Sequence, residues 1–198
     1  MHKFQPLSVA ALSLAIVSPV LADGQTATYV LDPSHSQVVF SYNHLGYSTT
    51  FGMFSGFKGE IQFVEDDPAA SSVSVSVPTM SMFTGWEQRQ AHFMSEDFFG
   101  ATEEDMITFT STSIEVTGEN TANITGDLTM NDVTQEVVLD ATLNQASPYP
   151  VGEKAGTPTI GFGATTTILR SDFGVGAFAP LVSDEVEVQI QIEAAQAG

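Results

Sequence analysis

Ile124-Thr125-Gly126-Asp127-Leu128-Thr129-Met130-Asn131-Asp132-Val133-Thr134-Gln135-Glu136-Val137-Val138-Leu139-Asp140-Ala141-Thr142-Leu143 is the stretch that decides the fold class. Ile124, Gly126, Leu128 and Met130 alternate with polar residues, and Val137, Leu139, Ala141 and Leu143 do so again. A period of two is the mark of a strand with one buried face. Asn131-Asp132 between the two runs has turn chemistry, so the pair reads as an antiparallel hairpin.

The same period extends outward in both directions. Val38, Phe40, Tyr42 and His44 share one face, as do Phe57, Gly59, Ile61 and Phe63, while Val73, Val75 and Val77 alternate with serines. Ile160, Phe162, Ala164, Thr166 and Ile168 follow, and Val186, Val188, Ile190 and Ile192 close the chain. Ile107 and Phe109 begin a strand whose apolar parity has shifted by Ile114 and Val116, which places a bulge near Ser111–Ser113. With Tyr47 to Phe54 this makes about eight or nine strands, the spacing of an all-β barrel or sandwich. Strands that are each apolar on one face are satisfied by a single closed sheet, which leaves no edge. Small residues at inward positions, Gly59, Gly126, Ala141 and Ala164, are compatible with an open tube and equally with a tapered, filled interior.

One segment departs from this pattern. Thr84-Gly85-Trp86-Glu87 matches a capping box, predicting a helix of about ten residues to Met94, with Ser95 capping a further turn through Phe98. Trp86, Phe93, Phe98 and Phe99 give this insertion an apolar side suited to closing one end of a barrel. Pro148 to Pro158 reads as a long loop.

Composition narrows the function. Residues 1–22 read as a secretory signal peptide: Lys3, an apolar run from Leu7 to Val17, then Val20-Leu21-Ala22 as the cleavage motif. The run is shorter than the roughly 20 residues of a membrane span. Residues 23–198 then form a single exported domain, expected in the periplasm, with no membrane span. The chain has no cysteine, so its stability rests on an apolar core rather than on disulfides, and thiol chemistry is excluded. The net charge is −19, from 24 acids against 5 bases. Such a surface repels phosphate backbones and anionic headgroups, which excludes nucleic acid as a partner.

Motifs for catalysis are weak. His35, His44 and His92 lie on separate elements without metal-ligand spacing, so no metal site is expected. No glycine-serine-glycine nucleophile elbow is present, although a lipid ester or amide hydrolase is kept as an alternative beside a filled-barrel interaction module. Arginine is scarce, which draws attention to Arg89 in the expected helix and Arg170 at a strand end. A fixed carboxylate partner is the first expectation for Arg170, and a contact to a ligand head at a barrel mouth is the second.

Several stretches, in order, resemble the YceI-like, lipocalin-like family of bacterial periplasmic polyisoprenoid-binding proteins. They are Leu31-Asp32-Pro33-Ser34-His35-Ser36, Asn43-His44-Leu45-Gly46, Gly52 to Gly59, Thr84 to His92, Glu96-Asp97-Phe98-Phe99, Ile107 to Thr112, Gly126 to Met130, and Arg170-Ser171-Asp172-Phe173-Gly174. Gln90 stands after Arg89 where that family usually has an acid. The resemblance implies an extended antiparallel eight-stranded lipocalin-like β-barrel with a short helical insertion. It also implies a non-catalytic role in holding an isoprenoid or quinone-like lipid in the interior, with no other cofactor and often as a homodimer. On that reading Phe40, Tyr42, Phe51, Met53, Phe109 and Phe162 line the lipid, and His44, Arg89 and Arg170 stand at its polar ends.

Overall fold

A computed structural model describes residues 25–198. The expected signal peptide and its cleavage point lie outside these residues. Ten strands form one antiparallel sheet: β1 (Thr26–Leu31), β2 (Gln37–His44), β3 (Ser48–Phe54), β4 (Lys58–Val64), β5 (Ser72–Pro78), β6 (Met106–Val116), β7 (Thr121–Met130), β8 (Val133–Pro148), β9 (Pro158–Leu169) and β10 (Glu185–Gln196). Strand β1 pairs with both β4 and β10, so β1 and β4 to β10 close an eight-stranded ring. The hairpin β2–β3 continues along the other half of β10, from Gln191↔Gln37 to Glu187↔Ser41. Strands β1 and β2 thus share one long partner and are separated only by the turn that carries Asp32.

The hairpin read from the sequence forms β7 and β8, with Met130 opposite Val133. Asn131 and Asp132 adopt φ of 53° and 59°, the left-handed backbone that a two-residue turn requires to match strand twist. The parity shift in β6 is a bulge between Ser111 and Ser113. A second irregularity falls between Leu143 and Gln145 in β8.

The capping box does not form. The helix α1 covers Glu87–Phe93, with Trp86 as its N-cap and no side-chain cap. Thr84 is buried, and its hydroxyl donates to the Trp86 carbonyl at 3.0 Å instead of accepting from an amide. The turn after the helix does form: the Ser95 hydroxyl donates to the His92 carbonyl at 2.7 Å and accepts from the Asp97 amide at 3.4 Å.

Inside the ring, apolar side chains of β1, β2, β4, β5 and β10 pack with Met82, Phe93, Met94 and Phe99 of the insertion. A smaller cluster of Met130, Val137, Phe173 and Val175 sits where β7 and β8 meet the Arg170 turn. Lys154, in the loop between β8 and β9, reaches back to Asp32 with an Nζ–Oδ2 distance of 2.6 Å. This ties the loop to the β1–β2 turn. No helix of the described residues is long and apolar enough to cross a membrane.

Candidate lipid cavity

Inward parity around the ring produces a cavity of about 300 Å³, within the range of small-molecule sites. Its walls are side chains such as Val38, Phe40, Ile61, Phe63, Phe109, Leu139, Phe162, Ile168 and Val188. Phe93, Phe98 and Phe99 cover the end where α1 lies, which can be called the helix end. Gly118, Glu119, Asn120 and Thr121 of the β6–β7 turn border the opposite end. Rings make a semi-rigid lining: Phe40 and Phe54 are 5.5 Å apart, Phe63 and Phe162 meet edge-on at 6.1 Å, and Tyr42, Phe93 and Phe98 follow one another at 5.9 and 5.0 Å. A cavity of this composition gains little from water, and it offers dispersion contacts along its whole length.

Polar groups gather at the helix end. Burial pushes the Tyr42 phenol upward, while Arg89, a hydrogen bond with Thr50 and then Arg170 pull it the other way. Arg170 is buried and lines the cavity, but among the described residues no carboxylate pairs with it as expected. Its Nε donates to Ser183 O at 2.9 Å, Nη1 to Val175 O at 2.8 Å and Ala177 O at 3.2 Å, and Nη2 to Val182 O at 3.0 Å. Desolvation holds its pKa below the usual guanidinium value, against Asp184 and Tyr42. The guanidinium also lies 6.0 Å above the Phe98 ring. Arg89 lies outside the lining; its Nη2 donates to Thr84 O at 2.6 Å, and its buried Nε has no partner among the described residues.

Of the residues singled out from the sequence, Phe40, Tyr42, Phe109, Phe162 and Arg170 come together on the cavity wall. Four others do not: Arg89, Phe51, Met53 and His44. Phe51 is 60% exposed and Met53 shares its outward face, because Phe40 pairs with Gly52, which turns Thr50, Gly52 and Phe54 inward. A shift of one residue in parity exchanges the two faces of a strand. His44 has the parity of Tyr42 but lies at the end of β2, beyond the cavity, where the chain enters the Leu45-Gly46 turn. Trp86, expected on the apolar side of the insertion, stands outside with 60% exposure.

Outside the barrel, Asp32, His35 and Glu193 approach one another closely enough to hold a cation. Lys154 already occupies Asp32 there, and His35 Nδ1 sits 3.1 Å from both Asp32 Oδ2 and Ser34 Oγ. Burial raises the Asp32 carboxyl, but hydrogen bonds from Lys154, Ser34 and His35 outweigh it and hold the group well below the usual carboxylate range. A hydrolytic triad uses opposite ring nitrogens for its acid and its nucleophile, whereas here one nitrogen faces both.

Residues 29–194 match the YceI-like domain family. The chain belongs to the YceI-like family. It is 38% identical over 187 residues to a UPF0312 protein of Ectopseudomonas mendocina, covering 92% of this chain and 96% of that one. It is also 38% identical over 192 residues to Protein YceI of Shigella flexneri, covering 96% and 95%. Among solved structures, Burkholderia cenocepacia BcnA superposes with a TM-score of 0.73 at 25% identity, covering 83% of this chain and 99% of that one. A polyisoprenoid binding domain from Saccharophagus degradans shares the fold, with a TM-score of 0.66 at 15% identity, covering 87% and 100%. The closed antiparallel barrel with one short helix is therefore the YceI-like architecture.

Within this YceI-like barrel, two features of the wall escaped the sequence reading. Gly52 and Gly126 have no room for a Cβ because the rings of Phe40 and Phe109 lie across them. Gly52 faces Phe40 directly across the ladder and Gly126 lies diagonal to Phe109, relations that become visible only once register is known. Met82 also lines the cavity, from a stretch with no strand periodicity.

Proposed function

We propose that this chain binds a long apolar isoprenoid lipid, polyprenyl or quinone-like, inside its barrel, in the bacterial periplasm and without catalysing a reaction on it. The observation that carries this reading is the continuous apolar cavity, walled by inward residues of the ring and covered by three phenylalanines of the insertion. The structure from Saccharophagus degradans described as a polyisoprenoid binding domain supports the ligand class.

The energetics follow from the wall. Each buried methylene contributes roughly 0.8 kcal/mol, so every carbon of a tail that enters the cavity adds to affinity, against the cost of ordering the chain. A polar head belongs at the helix end, where Tyr42 and Arg170 border the cavity. Arg170 contributes chiefly its field, since four backbone carbonyls already take its donors.

The test compares urea unfolding of delipidated and lipid-loaded protein for wild type and Phe40→Ala. A core phenylalanine replaced by alanine costs about 3–5 kcal/mol. If the Phe40 ring faces a removable ligand, the apo protein loses less than this and the loaded protein loses more than the apo form. Equal losses in both forms contradict the reading.

A further inference from the structure

We propose that the rim around the helix end is a docking surface for a neutral lipid bilayer, and that the barrel exchanges its lipid there. The inference rests on the lipid-binding reading for its purpose, and the surface itself is tested independently. Tyr47, Phe51, Phe83, Trp86, Phe178 and Leu181 are all large, apolar and more than half exposed, with Tyr47 at 90% and Leu181 at 69%. Single exposed apolar residues are ordinary, but a group of them is not.

The backbone joins them into one rim. Phe83 and Met53 exchange hydrogen bonds of 2.9 and 2.8 Å, which sets Phe83 beside the outward face of β3 that carries Phe51. Tyr47 lies in the turn of the same hairpin. The Leu45 amide of that turn donates to Leu181 O at 3.0 Å. Phe178, in the same loop as Leu181, lies 5.9 Å from Phe98 and 6.0 Å from His92, which brings the loop against the last turn of α1, while Trp86, three residues after Phe83, caps the first turn of the same helix.

Three features select the occupant. First, the rim is continuous with the cavity: Met82, Phe98 and Val182 line the interior, and their neighbours in sequence or space, Phe83, Phe178 and Leu181, stand outside. A tail leaving at this end passes from one apolar surface to the next. Second, the six side chains are uncharged in a chain of net charge −19. A second copy would bring another −19 against the first, and an anionic bilayer would be repelled by acids such as Glu87 beside Trp86. A neutral bilayer adds no charge. Third, tryptophan and tyrosine are side chains that settle at a membrane–water boundary, and Trp86 and Tyr47 supply one of each.

Trp86 is the sole tryptophan of the chain, so its fluorescence reports on the rim alone. The experiment uses protein purified from the periplasm, its N-terminus fixed by intact mass, with phosphatidylcholine vesicles or vesicles enriched in phosphatidylglycerol. The Tyr47→Ser/Phe178→Ser variant is compared with wild type, and cavity lipid is quantified separately by extraction. The expected result is a blue shift of Trp86 on phosphatidylcholine and quenching by lipids labelled high in the acyl chain, with weaker binding to phosphatidylglycerol at low salt. The double variant loses partitioning by about tenfold or more while keeping its fold and cavity lipid. A Trp86 spectrum unchanged by vesicles overturns the proposal. So does a blue shift that needs only higher protein concentration and accompanies a doubled mass, which would assign the rim to a second copy. Docking by a protein that holds no cavity lipid would keep the surface and remove the carrier reading.

Discussion

The Phe40 ring lies across Gly52, its partner on β3, so closely that a Cβ at Gly52 would collide with it. The glycine is what lets the ring lie against the wall and keeps the cavity beside it open. Gly52→Ala is expected to push the ring inward, at a cost of about 1–3 kcal/mol, and to lower lipid content. In the Phe40→Ala background the same change should be nearly neutral, since the obstructing ring is gone. Urea unfolding and bound-lipid quantification of the four proteins check this. Unchanged lipid in Gly52→Ala would contradict it.

Arg170 holds the loop from Val175 to Ser183 by four bonds to backbone carbonyls. Arg170→Met removes the donors and leaves one buried and three half-buried carbonyls without them, so a loss of about 3 kcal/mol is expected. Arg170→Lys should recover less than half, because an ammonium cannot span a planar fork of acceptors. Chemical denaturation of lipid-free protein measures both, and a loss below ~1 kcal/mol for Arg170→Met would show that the cage carries little.

Asp32 links acid stability to the loop between β8 and β9. Its carboxyl is held below its ordinary value in the fold by Lys154, Ser34 and His35, against the effect of burial. Its stabilising contribution is therefore fully present above the unfolded value of about 4 and is lost as pH falls through the lower folded value. Asp32→Asn should be less stable than wild type at neutral pH, and the gap should narrow as pH drops below about 4. Because the other acids are shared, the difference between the two urea profiles isolates Asp32. A gap independent of pH would remove the ionic role.

What the sequence made legible was local. Asn131-Asp132 announced its turn, and the parity shift of Ile114 against Phe109 announced the bulge, because each depends on neighbours in the chain. The inward faces of β2, β6 and β9 followed from period two, which brought Phe40, Tyr42, Phe109 and Phe162 to one cavity. Strand β3 was not legible, since Phe51 and Met53 face outward while Phe54 faces inward, and only the pairing with β2 decides between these faces. Thr84 looked like a helix cap, but burial beside the cavity cover redirected its hydroxyl. The Arg170 cage left no mark in the sequence, because its acceptors are backbone carbonyls that any residue supplies.

The central claim is that the barrel holds an isoprenoid lipid, and the most direct measurement is organic extraction and mass spectrometry of protein purified natively, without detergent. The account predicts about one long-chain polyprenyl or quinone-like molecule per chain, the capacity of a small closed barrel. It also predicts that delipidated protein takes up such a lipid again. Native protein that yields no lipid and takes none up when offered would contradict the account.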